Sequence, residues 1–145
     1  MGPVNLRDIL VTPLSRIRTE GGDVLHAMKN TDNGFAKFGE AYFSEINFGE
    51  IKAWKRHVKM TLNLIVPSGS VKFVFLAMDY KKISAHRIEE IGDERYVRIT
   101  VPPGIWFGFQ GLTKPRSLVL NVASEPHDPN EVERLSKEDI NFSWS

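Results

Sequence analysis

The sequence contains no cysteine, which excludes disulfide bonds and thiolate ligands for a metal ion. A reducing compartment is compatible with this composition, and we expect a cytoplasmic protein. Long apolar runs are absent as well. Arg7, Asp8 and Pro13 interrupt the first apolar residues, so this segment has neither the apolar core of a signal peptide nor the roughly 20 apolar residues of a membrane-spanning helix. We therefore expect no membrane association.

An excess of either charge is also absent. The 145 residues include 19 Lys and Arg against 18 Asp and Glu, with a formal net charge of +1. Proteins that bind nucleic-acid phosphates normally carry a basic excess, so we expect no nucleic-acid partner, and any basic site must be local. The 41% hydrophobic content suits one folded domain. We predict an N-terminal arm at residues 1–22 and one domain at residues 23–145.

Short apolar runs bounded by turn residues make up most of the chain after the arm, which is typical of an all-β protein. The predicted strands lie at residues 23–28, 41–48, 51–63, 71–76, 95–101 and 118–123. The charged residues 79–94 indicate a loop or a short hairpin, and residues 131–135 a single helical turn. The sequence therefore predicts an antiparallel sandwich or barrel with a short helical C-terminal tail.

His57 lies in a strand-like run that extends from Trp54 to Lys59. A free imidazole has a pKa near 6.5, so a histidine can serve as a base or an acid near neutral pH. Strand alternation places Lys55 and Lys59 on the same face, where positive charge favours a neutral imidazole and can hold an anionic group such as a diphosphate. A solvated basic strand face is also compatible with this pattern, and the residues leave both interpretations open.

A second motif follows at residues 101–110. Pro102, Pro103 and Gly104 predict a sharp turn that leads into an aromatic strand, in which Trp106 can be aimed into a pocket. Ordinary core packing also accounts for these aromatic residues. A strand, a turn and a strand at residues 63–74 separate the two motifs, so we expect them to be neighbours in one antiparallel barrel of the cupin type.

The histidine pattern does not predict a metal site. Lys55 and Lys59 stand where further ligands would flank His57, and Phe107 stands where a ligand would be expected on the later strand. The other histidines lie in turn-rich or charged contexts and are interpreted as surface residues: His26, His86 and His127. A glycine-rich phosphate loop and a G-x-S-x-G elbow are also missing. We expect neither a metal nor a cofactor.

From about residue 23 to residue 144 the chain resembles the dTDP-4-dehydrorhamnose 3,5-epimerases and related sugar-nucleotide cupins. The resemblance rests on the order and spacing of the His57 strand, the Gly69 turn, the segment at residues 101–112, the strand to Asn121 and the acidic tail that ends at Trp144. It implies a metal-free homodimeric cupin or jelly-roll barrel. Such a barrel binds a nucleotide sugar and removes a proton next to a sugar ketone.

The resemblance also implies roles for individual residues. His57 closes the stretch that matches the family's R-G-L-H motif and is the implied base, while Trp54 holds the arginine position. Asp139 is the implied carboxylate that orients the imidazole. The family's lysine matches Leu62 or Asn63, its tyrosine acid matches Leu120 or Asn121, and its second histidine matches Phe107. Tyr42 or Tyr96 is then the replacement for the missing acid.

Two functions follow as expectations. The first is an epimerase or isomerase of surface-polysaccharide or deoxysugar biosynthesis, and a single proton shift, as in a ketoisomerase, suits the reduced set of residues. The second is a non-catalytic sugar-nucleotide-binding or scaffolding cupin. For both, we expect the ligand to contact Lys55, Arg56, Lys59, Asn63, Lys72, Trp106 and Asn121.

Overall fold

The computed structural model describes residues 4–145 and consists almost entirely of antiparallel β-strands. Ten of the strands form two five-stranded sheets. In sheet I the strands lie in the order β1 (Leu10–Pro13), β9 (Val97–Val101), β6 (Leu62–Ser68), β11 (Arg116–Ala123) and β4 (Glu40–Asn47).

Sheet II contains the strands that carry both sequence motifs. Its order is β12 (Val132–Arg134), β5 (Ile51–His57), β10 (Trp106–Gly111), β7 (Ser70–Asp79) and β8 (Lys82–Gly92). β10 pairs directly with β5, and the backbone N–H of Gly104 in the Pro-Pro-Gly turn donates to the carbonyl of His57 over 2.8 Å. The predicted neighbourhood of the two motifs is therefore confirmed.

The N-terminal segment forms part of the strand structure. A 3-10 turn (Leu6–Asp8) precedes β1, which pairs with β9 of the same chain. A short ribbon then joins β2 (Arg16–Ile17) to β3 (Val24–Leu25). The first three residues of the predicted arm lie outside the described residues.

The main core lies between the two sheets. Alternate residues of β7, including Phe73 and Phe75, point inward and are fully buried against Ile99 of sheet I. The intervening residues Val74 and Leu76 are also fully buried, on the outer face of sheet II. Both faces of β7 are therefore covered, as its almost continuous apolar sequence predicts.

The C-terminal segment covers the outer face of sheet II. After β12 it has no regular secondary structure, and Phe142 and Trp144 pack on Trp54 with ring centroids 5.9 and 5.2 Å apart. The Lys72 ammonium donates to the Trp144 carbonyl over 2.8 Å, which fixes the end of the chain on the sheet.

Three structural predictions need correction. The tail is not helical: residues 132–134 form β12, because five residues are too few for a stable helix and the open edge of β5 offers ladder hydrogen bonds. Residues 82–92 form the full-length strand β8, whose charges suit its position at the edge of sheet II. The sheets face each other as a jelly-roll-like sandwich, and no closed barrel is found among the described residues.

Candidate active site

A cavity of about 430 Å³ opens between the inner faces of the two sheets. Sheet II contributes β5, β10 and β12 to its wall, and sheet I contributes β4, β6 and β11. The cavity contains His57, Lys55 and Asn121 of the residues predicted from the sequence. None of the described residues that line it is acidic. An anionic ligand therefore meets cations and neutral polar groups there.

His57 forms a close pair with Glu131, the residue that precedes β12. The Glu131 Oε1 atom lies 2.5 Å from His57 Nδ1, and Oε2 accepts from the backbone N–H groups of Lys59 and Met60 over 3.1 Å each. The carboxylate is 6% exposed, so these contacts hold it in one orientation. Since the carboxylate is an acceptor, Nδ1 carries the proton and Nε2 remains to accept one from a ligand.

The ionisation of Glu131 fits this role. Its burial acts to raise the pKa of the carboxyl, but the hydrogen bond from His57 and the two backbone N–H donors outweigh that effect, so its pKa lies below the ordinary value. The group is therefore an anion at neutral pH. An anion in this position fixes the tautomer of the imidazole and stabilises the imidazolium that forms when Nε2 takes a proton.

Three cations share the cavity with His57. Lys55 is half-buried, whereas Lys52 and Arg134 are exposed at the rim. A bulge at Trp54 explains the position of Lys52, because Phe107 pairs with Lys55 while Gly108 pairs with Ala53 and Phe109 with Lys52. The extra residue brings both lysines to the inner face although they lie three positions apart.

The wall opposite His57 is formed by sheet I and carries a tyrosine. The Tyr42 hydroxyl accepts from the Asn121 side-chain amide over 3.1 Å, and the Asn121 side-chain oxygen accepts from the backbone N–H of Asn63 over 3.2 Å. These two bonds fix the Asn121 amide, so the proton of the Tyr42 hydroxyl is free for a ligand. Tyr96 lies elsewhere, where its hydroxyl donates to the carbonyl of His26.

Phe107 forms an aromatic wall beside the base. Its ring stacks on the His57 imidazole with centroids 6.2 Å apart and planes 24° apart. Phe107, which matches the family's second histidine, therefore packs on His57 and has no proton to transfer.

Several predicted ligand contacts lie outside the cavity. Arg56 faces away from it, donates to both carboxylate oxygens of Glu133 over 2.7 and 2.8 Å, and stacks on Trp106 with its guanidinium 5.0 Å from the ring centroid. Lys59 is exposed beyond the end of β5. The structure therefore places Arg56 and Trp106 on the outer face of sheet II and Lys59 past the last residue of β5, outside the cavity, and their contacts with a ligand stay predictions.

The remaining predicted contacts are occupied by the protein itself. Lys72 is bound to the C-terminal segment, and the Asn63 side chain is buried between Thr100 and the Gly34 carbonyl. Asp139 caps the turn that begins at Ser136 by accepting its backbone N–H over 2.8 Å. The structure thus pairs His57 with Glu131 in place of the predicted Asp139.

The sequence contained a partial signal for the residues that were missed. Glu131 follows Asp128-Pro129-Asn130, which resembles the start of a helix, and that interpretation hid its position opposite the end of β5. Arg134 was hidden in the same way, since a residue of a surface helix has no reason to face a cavity. Lys52 was missed because strict alternation places it on the outer face.

No group of three or more His, Asp or Glu side chains in residues 4–145 is placed to hold a metal ion. In the same part of the chain, no helix has the length and apolar character needed to cross a bilayer.

The fold and the cavity together define an antiparallel cupin with a histidine–carboxylate pair inside. Comparison with solved structures gives a TM-score of 0.84 and 34% identity to a dTDP-sugar isomerase from Desulfovibrio desulfuricans G20, over 94% of this chain and 90% of that one. The chain belongs to the family of dTDP-4-dehydrorhamnose 3,5-epimerase-like sugar-nucleotide cupins, which confirms the resemblance found in the sequence.

More distant structures share the fold. A sugar 3,4-ketoisomerase from Thermoanaerobacterium thermosaccharolyticum in complex with TDP has a TM-score of 0.75 at 20% identity over 94% of both chains. A dTDP-4-dehydrorhamnose 3,5-epimerase from Sulfolobus tokodaii has a TM-score of 0.78 at 19% identity, over 97% of this chain and 85% of that one. No protein-family model and no curated protein sequence matches the chain.

Proposed function

We propose that the protein is a dTDP-sugar isomerase that moves a ketone between adjacent carbons of a deoxysugar, with His57 as the base. The observation that carries this proposal is the buried His57–Glu131 pair on the wall of a cavity with a cationic rim. The kinship with a dTDP-sugar isomerase supports the substrate class. We place the reaction in deoxysugar or surface-polysaccharide biosynthesis in the cytoplasm, in a homodimer.

The chemistry requires one base and no cofactor. His57 Nε2 takes the proton from the carbon next to the ketone, and the electron pair of that C–H bond forms a carbon–carbon double bond while the ketone oxygen becomes anionic. The imidazolium then returns a proton to the former carbonyl carbon. The hydroxyl proton of the neighbouring carbon leaves for the other oxygen, so the ketone has moved and all atoms are conserved.

The cavity charges suit the diphosphate of a nucleotide sugar. Lys52 and Arg134 lie at the exposed rim and have no acidic neighbour in the cavity. The Lys52 ammonium gives one of its three donors to the Glu45 carbonyl and keeps two for a ligand, so we assign the diphosphate to Lys52 and Arg134. Asn121 is the polar group on the opposite wall and contacts the sugar in this proposal. The sugar ring is then placed between His57 and sheet I.

A single proton shift fits the site better than double epimerisation. Epimerisation at two carbons needs an acid that delivers protons to the opposite face, and the positions that match the family's tyrosine hold Leu120 or Asn121. Tyr42 is the only one of the three tyrosines that lines the cavity. We assign it to the transfer of the hydroxyl proton between the two sugar oxygens.

Product identification tests the proposal. Incubation with dTDP-4-keto-6-deoxyglucose, followed by NMR, is expected to show a product whose ketone lies on the neighbouring carbon, and His57→Gln is expected to lower its formation by at least about 10²-fold. Exposed Lys82→Met serves as the control. Binding of dTDP without any product would instead support the non-catalytic cupin.

A further inference from the structure

Lys55 has a different task from the other two cavity cations. Resting on the proposed function above, we infer that Lys55 is a catalytic residue whose ammonium stabilises the negative charge that develops on the sugar oxygen when His57 removes the neighbouring proton. Lys52 and Arg134 bind the diphosphate in this assignment. Three observations on Lys55 support this role: its position beside His57, its burial, and the lack of a hydrogen-bond acceptor or acidic partner for its ammonium among residues 4–145.

The position of Lys55 is tied to that of the base. Lys55 and His57 lie two residues apart on the inner face of β5, which corresponds to about 6.6 Å along a strand. Backbone pairing with Phe107 on one side and with Arg134 on the other holds the strand at this point. We therefore place the oxygen of a sugar carbon in reach of His57 Nε2 on the side of Lys55.

Burial separates the three cations. Lys52 is exposed and its ammonium donates to the backbone carbonyl of Glu45 over 2.7 Å, so it already has an acceptor at the rim. Arg134 is exposed as well. Lys55 is half-buried, and among residues 4–145 its ammonium has neither a hydrogen-bond acceptor nor an acidic partner. The cation deepest in the cavity is thus the one without a counter-charge.

A partly buried cation without a partner acts most strongly on charge that appears beside it. Burial lowers the pKa of Lys55, and the nearby charges of Arg134 and Lys52 lower it further. An anionic oxygen formed during the reaction supplies the missing counter-charge, whereas the neutral ketone of the bound substrate does not. The interaction is therefore stronger in the transition state than in the substrate complex, as rate acceleration requires.

The test separates binding from catalysis in one set of variants. Lys55→Met keeps the length of the side chain and removes its charge, Arg134→Met removes a rim cation, and exposed Lys82→Met is the control for the loss of one lysine. For each variant we would measure the Kd for dTDP by calorimetry and the kcat for dTDP-4-keto-6-deoxyglucose. Because Lys55→Met removes a charge that burial disfavours, it is expected to fold, and its melting temperature checks this.

Lys55→Met is expected to lower kcat by about 10²-fold or more while the Kd for dTDP changes by less than about threefold. Arg134→Met is expected to raise the Kd for dTDP by about tenfold or more. A wild-type kcat in Lys55→Met, or a loss of dTDP affinity equal to that of Arg134→Met, would overturn the assignment of Lys55 and leave the proposed function intact. A wild-type protein that forms no product would remove the proposed function and the role of Lys55 together.

Discussion

The contact between His57 and Glu131 is the residue-scale feature on which the proposed chemistry depends. The imidazole was identifiable from the sequence because His57 closes the stretch that matches the family's R-G-L-H motif. Its partner was not, because Glu131 lies 74 positions away and only the pairing of β12 with β5 brings it close. The family resemblance pointed to a carboxylate from the C-terminal region, and the structure selects Glu131 over Asp139.

The effect of Glu131 on catalysis is directly testable. Glu131→Gln retains the shape of the side chain but removes the charge that fixes the Nδ1–H tautomer and stabilises the imidazolium. We expect kcat for the dTDP-keto-sugar to fall by about 10²-fold, with little change in the Kd for dTDP. Asp139→Asn is the matched comparison, and a larger loss in that variant would restore the sequence-based assignment.

Glu131 also makes stability depend on pH. Its pKa is lowered in the folded state from an ordinary value of 4.5, so the unfolded chain binds the proton more readily. The stabilisation is complete above pH 4.5 and is lost as the pH falls through the lower, folded-state pKa. Urea unfolding should therefore show Glu131→Gln less stable than wild type at pH 7, with a difference that narrows in acid. A difference independent of pH would contradict this explanation.

Substitution of Tyr42 tests its proposed role in the transfer of the hydroxyl proton between the two sugar oxygens. Tyr42→Phe removes the hydroxyl and leaves the ring against Asn121. We expect the ketone shift to slow by about tenfold or more, while exchange of the carbon-bound proton next to the ketone continues because His57 is intact. Measuring product formation and exchange in the same sample checks this. An equal loss of both would place Tyr42 in the carbon-proton step instead.

At the scale of elements, the C-terminal segment completes the site. It supplies Glu131 and Arg134, and its backbone bonds to β5 through reciprocal contacts between Leu135 and Trp54 of 2.8 and 3.1 Å. The sequence predicted β4, β5, β6, β7, β9 and β11 from short apolar runs, but β12 has only three residues and no alternation to reveal it. The extended conformation of β12 is set by its pairing with the open edge of β5, and the local sequence gives no sign of that long-range pairing.

Weakening the anchor of the C-terminal segment should therefore reduce activity from a distance. Trp144→Ala removes a ring packed on Trp54 and Phe142, outside the cavity. We expect a loss of about 1–2 kcal/mol in unfolding free energy and a lower kcat, because β12 is held less firmly against β5. Tyr80→Ala, which removes an aromatic side chain that is 97% exposed, is the control for both measurements. Full activity in a destabilised Trp144→Ala protein would show that the tail contributes stability alone.

At the scale of the whole molecule, the near balance of charge concealed a local asymmetry. The chain carries a net charge of +1, yet the cavity has three cations and no acidic residue among its described lining. The composition led us to expect no nucleic-acid partner, and the all-β class followed from strand-length apolar runs. The division into two facing sheets did not follow from the sequence, because it depends on which strands pair across long stretches of the chain. The bulge at Trp54 is likewise visible only in the register of β5 against β10.

Proton exchange at the sugar carbon next to the ketone is the most direct test of His57 as the base. Wild-type protein and His57→Gln would be incubated with dTDP-4-keto-6-deoxyglucose in deuterated water, after calorimetry has shown that both bind dTDP. We expect wild-type protein to incorporate deuterium at that carbon in recovered substrate and at the former carbonyl carbon in the product, and His57→Gln to do so at least about 10²-fold more slowly. Incorporation by His57→Gln at the wild-type rate would contradict the assignment of His57 as the base.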